Sequence, residues 1–153
     1  MPAKLTASPP VARLVLDLRD TCLGHATRRT ANALTRHYNA ALAPAGLEVT
    51  QFTTLCVIAA GRADSAAALA AAVGVDRSTL ARNLAVLRRD GLVAMEPGSG
   101  RRLRPHLTAS GQDRLQDGIA LWREAQARLV DRLGAPDAAA SLTTLARLRD
   151  AVG

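Results

Sequence analysis

The chain has 153 residues, a length that fits one domain with room for extra helices. Its net charge is +7, hydrophobic residues make up 48% and aromatic residues only 2%. This hydrophobic content excludes a wholly disordered chain, and the few aromatic side chains argue against a stacking platform for single-stranded nucleic acid. The longest uncharged run, residues 49–61, is too short to cross a bilayer, and residues 1–10 lack the apolar stretch of a signal peptide. We therefore predict a cytoplasmic protein with a packed core and no membrane contact.

The positive charge is concentrated in one stretch of the chain. Residues 76–104 carry seven arginines and three acidic side chains, a net charge of +4, whereas the other 124 residues together carry +3. Codon usage in a GC-rich genome explains the preference for arginine over lysine, but it does not explain this clustering. A local basic cluster is the electrostatic footprint of a surface that binds nucleic acid.

The N-terminal third is predicted to be mostly helical. Residues 1–10 contain adjacent prolines and are expected to form a loose arm. An apolar stripe with a four-residue repeat predicts one long helix over 11–43, in which Gly24 marks a bend or a close helix contact. Thr50 is the expected N-cap of the next helix, which Gly61 ends.

Two short helices and a hairpin follow. Asp64 or Ser65 is expected to cap a helix over 66–73, and Asp76 one over 77–89. Strands are predicted over the ranges 92–96 and 103–107, joined by a turn at 97–100, with Pro105 at an edge position.

Two further helices complete the predicted fold. Thr108 caps a long helix that reaches about Leu133, and a last helix runs to about residue 152. The side chains expected to face inward from the last helix are Leu142, Leu145, Leu148 and Val152. The fold class is therefore mainly α with a small β-hairpin.

The stretch 69–84 combines a helix, a tight turn containing Gly74, and a second helix. Glycine permits the left-handed backbone of the turn, while Val75 and Leu80 fill the wedge between the helices. This is the pattern of a helix-turn-helix, whose second helix enters the major groove of DNA. The outward face of that helix carries Arg77, Ser78, Ala81 and Arg82. Its short side chains permit close approach, and its arginines can reach guanine or phosphate.

The predicted hairpin adds a wing to this unit. It follows the sequence Arg88-Arg89-Asp90-Gly91-Leu92-Val93 and carries Arg101, Arg102 and Arg104. Arginines at the tip of a wing suit the narrow, negative minor groove beside a major-groove site. The combination predicts a winged helix-turn-helix that binds double-stranded DNA.

On these residues the chain resembles the MarR family of transcriptional regulators over nearly its whole length, residues 11–152. The resemblance is carried by the segments 69–84 and 87–93, the pair Arg101-Arg102, the helix start Leu107-Thr108-Ala109-Ser110-Gly111, and the link formed by residues 42–47 and 50–52.

The resemblance implies a homodimer that reads a pseudo-palindromic operator. It assigns dimerisation to residues 11–45 and 108–153, and DNA binding to residues 46–107. It also implies a phosphate contact at Thr79 and a minor-groove contact at Arg101, helped by Arg102. Many family members respond to a small ligand, often an anionic aromatic compound, bound between the dimerisation and DNA-binding parts. We accordingly predict a ligand-responsive repressor.

Other chemistry finds little support in the sequence. His25, Arg29 and Trp122 could line an anion pocket, although each is as readily a surface or interface residue. The histidines, cysteines and acids have no metal-site spacing, so no metal or cofactor is predicted. No nucleophile elbow, phosphate loop or metalloprotease motif is present, so the chain is not expected to be an enzyme.

Two alternatives remain open. Cys22 occupies a place similar to the reactive cysteine of peroxide-sensing members of the family, so a redox sensor is one of them. Tyr38 is the only tyrosine available to activate it, and Cys22 lies on an apolar stripe, which favours an inert thiol. The other alternative is a winged-helix module that binds protein, but the basic wing and arginine-bearing helix argue against it.

Overall fold

The computed structural model describes residues 9–61, 65–97 and 103–153. Over these ranges the chain forms seven α-helices and one antiparallel hairpin, the predicted fold class. The elements are α1 (Pro9–Thr21), α2 (Leu23–Leu42), α3 (Val49–Ala59), α4 (Ala66–Val73), α5 (Arg77–Arg89), β1 (Val93–Pro97), β2 (Leu103–Leu107), α6 (Ala109–Leu133) and α7 (Ala135–Val152).

The chain divides into two units, residues 1–37 and 38–153. The prediction of one continuous helix over 11–43 was wrong, because the helix breaks at Cys22, two residues before the Gly24 expected to mark a bend or a close helix contact. Backbone hydrogen bonds from Cys22 N to Leu18 O (2.9 Å) and from Ala26 N to Cys22 O (3.0 Å) continue past the break. The pattern of side chains therefore stays helical through it.

The start of α1 also differs from the prediction. The prediction that Pro9 and Pro10 belong to the arm was wrong: both lie in α1, because proline fits the first turn of a helix, where no N–H donor is needed. The rest of the predicted arm, residues 1–8, lies outside the described residues. The apolar side chains of α1 are exposed in the single chain, with Leu14 at 66% and Leu18 at 64%.

The main core lies in the second unit, where α3, α5, β1 and α6 meet. Leu42, Leu55 and Leu87 are almost fully inaccessible to solvent. The remaining buried members of this cluster are Ala45, Leu47, Phe52, Leu92, Val93 and Leu115. A smaller cluster of Leu69, Ala70 and Leu80 joins α4 to α5.

The start of α3 corrects a second boundary. Its N-cap is Glu48 rather than Thr50, and the side chain of Gln51 accepts a hydrogen bond from the Glu48 N–H at 3.0 Å. This bond satisfies a backbone donor that the start of a helix otherwise leaves unpaired.

The hairpin is two strands in register from Val93 opposite Leu107 to Pro97 opposite Leu103. Strand β1 begins one residue later than predicted, since the Leu92 N–H still bonds to Leu87 O at 2.8 Å. Pro105 of β2 lies opposite Met95 of β1, and both strands of this two-stranded sheet are edge strands. Residues 98–102, with most of the predicted turn, lie outside the described part of the chain.

Helix α6 begins at its predicted cap, but the burial of α7 differs from the prediction. Thr108 Oγ1 accepts a hydrogen bond from the Gly111 N–H at 3.0 Å and so caps α6. Helix α7 has no buried residue, so the expected inward stripe was wrong: Leu142, Leu145 and Val152 are exposed. The apolar period is present, but α7 packs on α6 and leaves this face uncovered by its own chain.

Among the described residues, no single helix is long and apolar enough to span a membrane, and Leu23–Ala45 and Val49–Ala59 reach that length and composition only when counted together.

Candidate nucleic-acid interface

Helices α4 and α5 form the predicted helix-turn-helix. Ser65 caps α4 by accepting a hydrogen bond from the Ala68 N–H at 3.1 Å. Gly74 ends the helix with a φ of 79°, a left-handed conformation that disfavours any residue with a Cβ. The Val75 N–H bonds back to Ala70 O at 3.0 Å, which closes the turn. The turn thereby fixes where α5 begins.

Asp76 organises the first turn of α5. One carboxylate oxygen accepts hydrogen bonds from the Thr79 N–H at 2.8 Å and from Ser78 Oγ at 2.6 Å, and the other accepts from Thr79 Oγ1 at 2.8 Å. These bonds hold the pKa of Asp76 well below its usual range, with the Ser78 hydroxyl the largest cause. Asp76 is therefore ionised at neutral pH and is both the predicted N-cap and an acceptor for two hydroxyl groups.

The side chains that follow are displayed at the surface of α5. Arg77, Ser78, Ala81 and Arg82 are exposed, and we call them the recognition face. Thr79 is half-buried beside it, and its Oγ1 accepts a hydrogen bond from Arg82 Nη2 at 3.1 Å. The structure thus brings together five of the residues predicted to bind DNA.

The wing residues are described only in part. Arg104 lies on β2, is exposed and stands opposite Glu96 in the hairpin register. Arg101 and Arg102 lie outside the described residues, so their contacts with DNA stay predictions.

A cavity of about 600 Å³ lies between α3, β2 and α6, within the second unit. Its apolar wall includes Val57, Ile58, Leu69, Leu115 and Ile119, and its polar rim includes Glu96, Arg104, His106, Gln112 and Gln116. This volume falls in the range typical of small-molecule sites. The cavity could not be predicted from the sequence, because its walls come from residues far apart in the chain.

His106 is the polar residue of most interest in this cavity. Its Nδ1 atom is buried and has no hydrogen-bond partner among the described residues, while Glu96 Oε2 lies 3.7 Å away. A buried nitrogen without a partner is an available position for a ligand or an ordered water. The rim combines this imidazole and the cationic Arg104 with the Glu96 carboxylate, so it offers polar partners to a ligand that packs on the apolar wall.

The predicted anion pocket does not coincide with this cavity. His25 and Arg29 lie on α2 in the first unit, and Trp122 lies on α6 in the second, where its ring stacks on Phe52 with centroids 6.4 Å apart. None of the three predicted residues lines the cavity, and their joint role stays a prediction.

The two cysteines have different surroundings. Cys22 is half-buried, and its Sγ accepts a hydrogen bond from the His25 N–H at 3.4 Å. Cys56 packs beside the main core, and burial raises the pKa of its thiol. The redox role of Cys22 stays a prediction. Across the ranges 9–61, 65–97 and 103–153, no group of three or more His, Cys, Asp or Glu side chains could hold a metal ion.

Comparison with known proteins yields a consistent set of relatives. The family model described as MarR family matches residues 45–102. The HTH-type transcriptional repressor Rv2887 of Mycobacterium tuberculosis is 34% identical over 119 residues, which cover 76% of this chain and 86% of the relative.

Solved structures of proteins from the same bacterium share the fold. The transcriptional regulator MosR matches with a TM-score of 0.75 at 41% identity, covering 87% of this chain and 98% of MosR. MosR has also been solved in complex with DNA. Rv2887, described as a MarR family protein, has been solved with p-aminosalicylic acid; it matches with a TM-score of 0.65 at 31% identity, covering 82% of this chain and 97% of that one.

Proposed function

The chain belongs to the MarR family of transcriptional regulators, and we propose that it is a homodimeric, ligand-responsive repressor that binds a pseudo-palindromic operator in double-stranded DNA. The observation that carries the proposal is the recognition face of α5, which displays Arg77 and Arg82 around the short residues Ser78 and Ala81. Long cationic side chains beside short ones suit direct contact with base edges in the major groove. The crystal structure of MosR with DNA supports the same use of the fold.

We assign dimerisation to residues 11–45 and 108–153, and DNA binding to residues 46–107. The exposed apolar side chains of α1 and α7 support this division, because a large uncovered apolar face usually marks an interface. A two-fold dimer then places two copies of α5 at successive turns of the DNA, roughly 34 Å apart.

The cavity beside the wing is our candidate for the effector site. Its apolar wall suits an aromatic ring, and His106 and Arg104 suit a carboxylate. The complexes of Rv2887 with salicylic acid and p-aminosalicylic acid support an aromatic acid as the ligand class. A ligand in this cavity contacts both β2 and α6, so it favours one placement of the wing over another. DNA and ligand then weaken each other's binding reciprocally.

The test is fluorescence anisotropy of the full chain on the intergenic DNA upstream of its own gene, titrated with salt and with random competitor DNA. We expect competitor-resistant binding and an affinity that falls steeply with salt, because the arginines displace counterions from the phosphates. Binding no tighter than to random DNA would contradict a specific regulator.

Two variants separate base recognition from general charge attraction. Arg77→Ala is expected to weaken binding to the upstream DNA more than to random DNA. Arg123→Ala removes an exposed arginine of α6, so it lowers the net charge equally but leaves the recognition face intact. Equal effects of the two variants on both DNAs would mean that α5 contributes only its charge.

A further inference from the structure

The hydrogen bonds around Asp76 determine which groups of α5 remain available to DNA. A hydroxyl group has one O–H donor and two acceptor lone pairs. Both Ser78 and Thr79 direct their hydroxyl donors to the Asp76 carboxylate, which as an anion can only accept. Neither hydroxyl therefore has a proton to donate elsewhere while these bonds are made.

The consequence for Thr79 concerns phosphate binding. Phosphate oxygens only accept hydrogen bonds, so a residue that contacts them must donate. The Thr79 N–H and the Thr79 O–H are both occupied by Asp76, and Oγ1 accepts from Arg82. In this arrangement Thr79 holds one N–H of the Arg82 guanidinium and leaves four to face outward.

The consequence for Ser78 concerns base recognition. Ser78 is exposed on the recognition face, and with its proton held by Asp76 it presents only lone pairs. In the major groove, hydrogen-bond donors are the N6 amino group of adenine and the N4 amino group of cytosine. Guanine N7 and O6 and thymine O4 are acceptors, so they would face the lone pairs of Ser78 without a proton between them.

Resting on the proposed function, we infer that Asp76 sets the hydrogen-bond polarity of the recognition face. Ser78 acts as an obligate acceptor that selects an amino-bearing base, adenine or cytosine, at one position in each half-site. Thr79 is a positioning residue that orients Arg82 rather than a phosphate ligand. Asp76 itself contacts no base.

The experiment removes single amino groups from DNA. The full chain first selects a duplex from a random library. Each adenine of that duplex is then replaced in turn by purine, and each cytosine by 2-pyrimidinone, which lack the amino group. We expect one position per half-site where this loss weakens wild-type binding about threefold to tenfold, the value of a single hydrogen bond. In Ser78→Ala the same replacement should change binding less than twofold.

Two further variants test the roles of Asp76 and Thr79. Asp76→Gly retains an acceptable N-cap but frees both hydroxyls. It should accept guanine or thymine at the Ser78 position, where the wild type rejects them, while circular dichroism shows α5 still folded. Thr79→Val keeps the shape of the side chain and removes the hydroxyl. Its loss of affinity should be specific to the selected duplex and should disappear in an Arg82→Ala background.

The outcomes separate the inference from the proposed function. A chain that selects no sequence from the library overturns the proposed function, and the inference with it. The inference alone is overturned if the wild type selects a sequence but each amino deletion weakens the binding of the wild type and of Ser78→Ala by the same factor. If Thr79→Val weakens binding to selected and random duplexes equally, Thr79 contacts phosphate and the positioning role is overturned.

Discussion

Gly111 packs directly against the backbone of Leu92, so that a Cβ atom at Gly111 would stand 2.0 Å from the Leu92 carbonyl oxygen. Next to this contact, Thr108 N–H donates to Leu92 O at 3.1 Å and Thr108 Oγ1 donates to Gly91 O at 2.6 Å. The first turn of α6 is thereby fixed to the segment that joins α5 to β1. This contact ties the long C-terminal helix to the winged helix-turn-helix.

Gly111→Ala is therefore expected to destabilise the protein. The methyl group meets backbone atoms, which cannot rotate away, so α6 must shift from Leu92 and lose the Thr108 bonds. We expect a loss of about 2–3 kcal/mol in the free energy of unfolding, at the upper end of overpacking effects. Urea denaturation at fixed protein concentration measures it.

Gly118→Ala is the matched control on the same helix. A Cβ there meets only side-chain atoms, with Phe52 at 3.0 Å and Leu47 at 3.3 Å, and these can adjust. The gain in helix propensity, about 1 kcal/mol, offsets part of the crowding. A cost at Gly118 equal to that at Gly111 would contradict the special role of the backbone contact.

The stability of α5 should depend on the ionisation of Asp76. Its pKa is lowered in the folded protein, so the carboxylate contributes stability above its unfolded pKa of about 3.9. That contribution is lost as the pH falls below this value, because the unfolded chain takes up the proton first. Acid therefore destabilises the wild-type protein through Asp76, and the stability of Asp76→Asn should fall less as the pH is lowered.

Thermal unfolding of the wild type and Asp76→Asn from pH 7 to pH 2.5 tests this dependence. The difference between their midpoints should be constant above about pH 5 and shrink below about pH 4. Asp113→Asn removes an exposed carboxylate outside this cluster and is the control. A difference for Asp76→Asn that does not vary with pH would contradict the linkage.

The exposed apolar face of α1 should carry dimer affinity. Val11, Leu14, Val15 and Leu18 share one side of the helix, whereas Leu16, 52% exposed, lies on the other side. Leu18→Asp places a charge in the proposed interface twice per dimer. Each lost leucine costs about 1.5 kcal/mol of association free energy, so the dissociation constant of the dimer should rise at least a hundredfold.

Leu16→Asp is the control because it replaces an equally apolar side chain off the stripe. Sedimentation equilibrium should show that Leu18→Asp is monomeric at concentrations where Leu16→Asp remains dimeric. Equal dissociation of both variants would mean that the stripe is not the interface.

Local signals in the sequence predicted the helix-turn-helix well. The sequence predicts Gly74, Asp76 and Thr108 as cap or turn residues, and each has that role in the structure. Of the two candidate caps of α4, Asp64 and Ser65, it is Ser65 that caps the helix. Such assignments succeed because cap and turn preferences depend on the residue and its near neighbours alone.

Features that depend on contacts between distant parts of the chain were harder to predict from the sequence. The break at Cys22 has no glycine or proline at the break itself, and the helical hydrogen bonds continue past it. The period of Leu142 and Leu145 predicts an apolar face but not whether its own chain or a partner covers it. The cavity joins Ile58, His106 and Gln116, whose proximity only the folded chain establishes.

The cavity beside the wing should be required for the response to an aromatic acid but not for DNA binding. Gln116 lines the cavity from α6 and is exposed, so Gln116→Trp can fill it without removing a core side chain. Salicylate should weaken operator binding of the wild type about fivefold or more, the lower range of coupling between two sites. Gln116→Trp should bind the operator within about twofold of the wild type and show less than a twofold response to salicylate.

Ala127→Trp, on an exposed part of α6 outside the cavity, should respond like the wild type. Anisotropy titrations with and without salicylate measure both quantities. Equal release of DNA from Gln116→Trp and the wild type would place the effector elsewhere, and a wild type indifferent to every aromatic acid tried would contradict the ligand class.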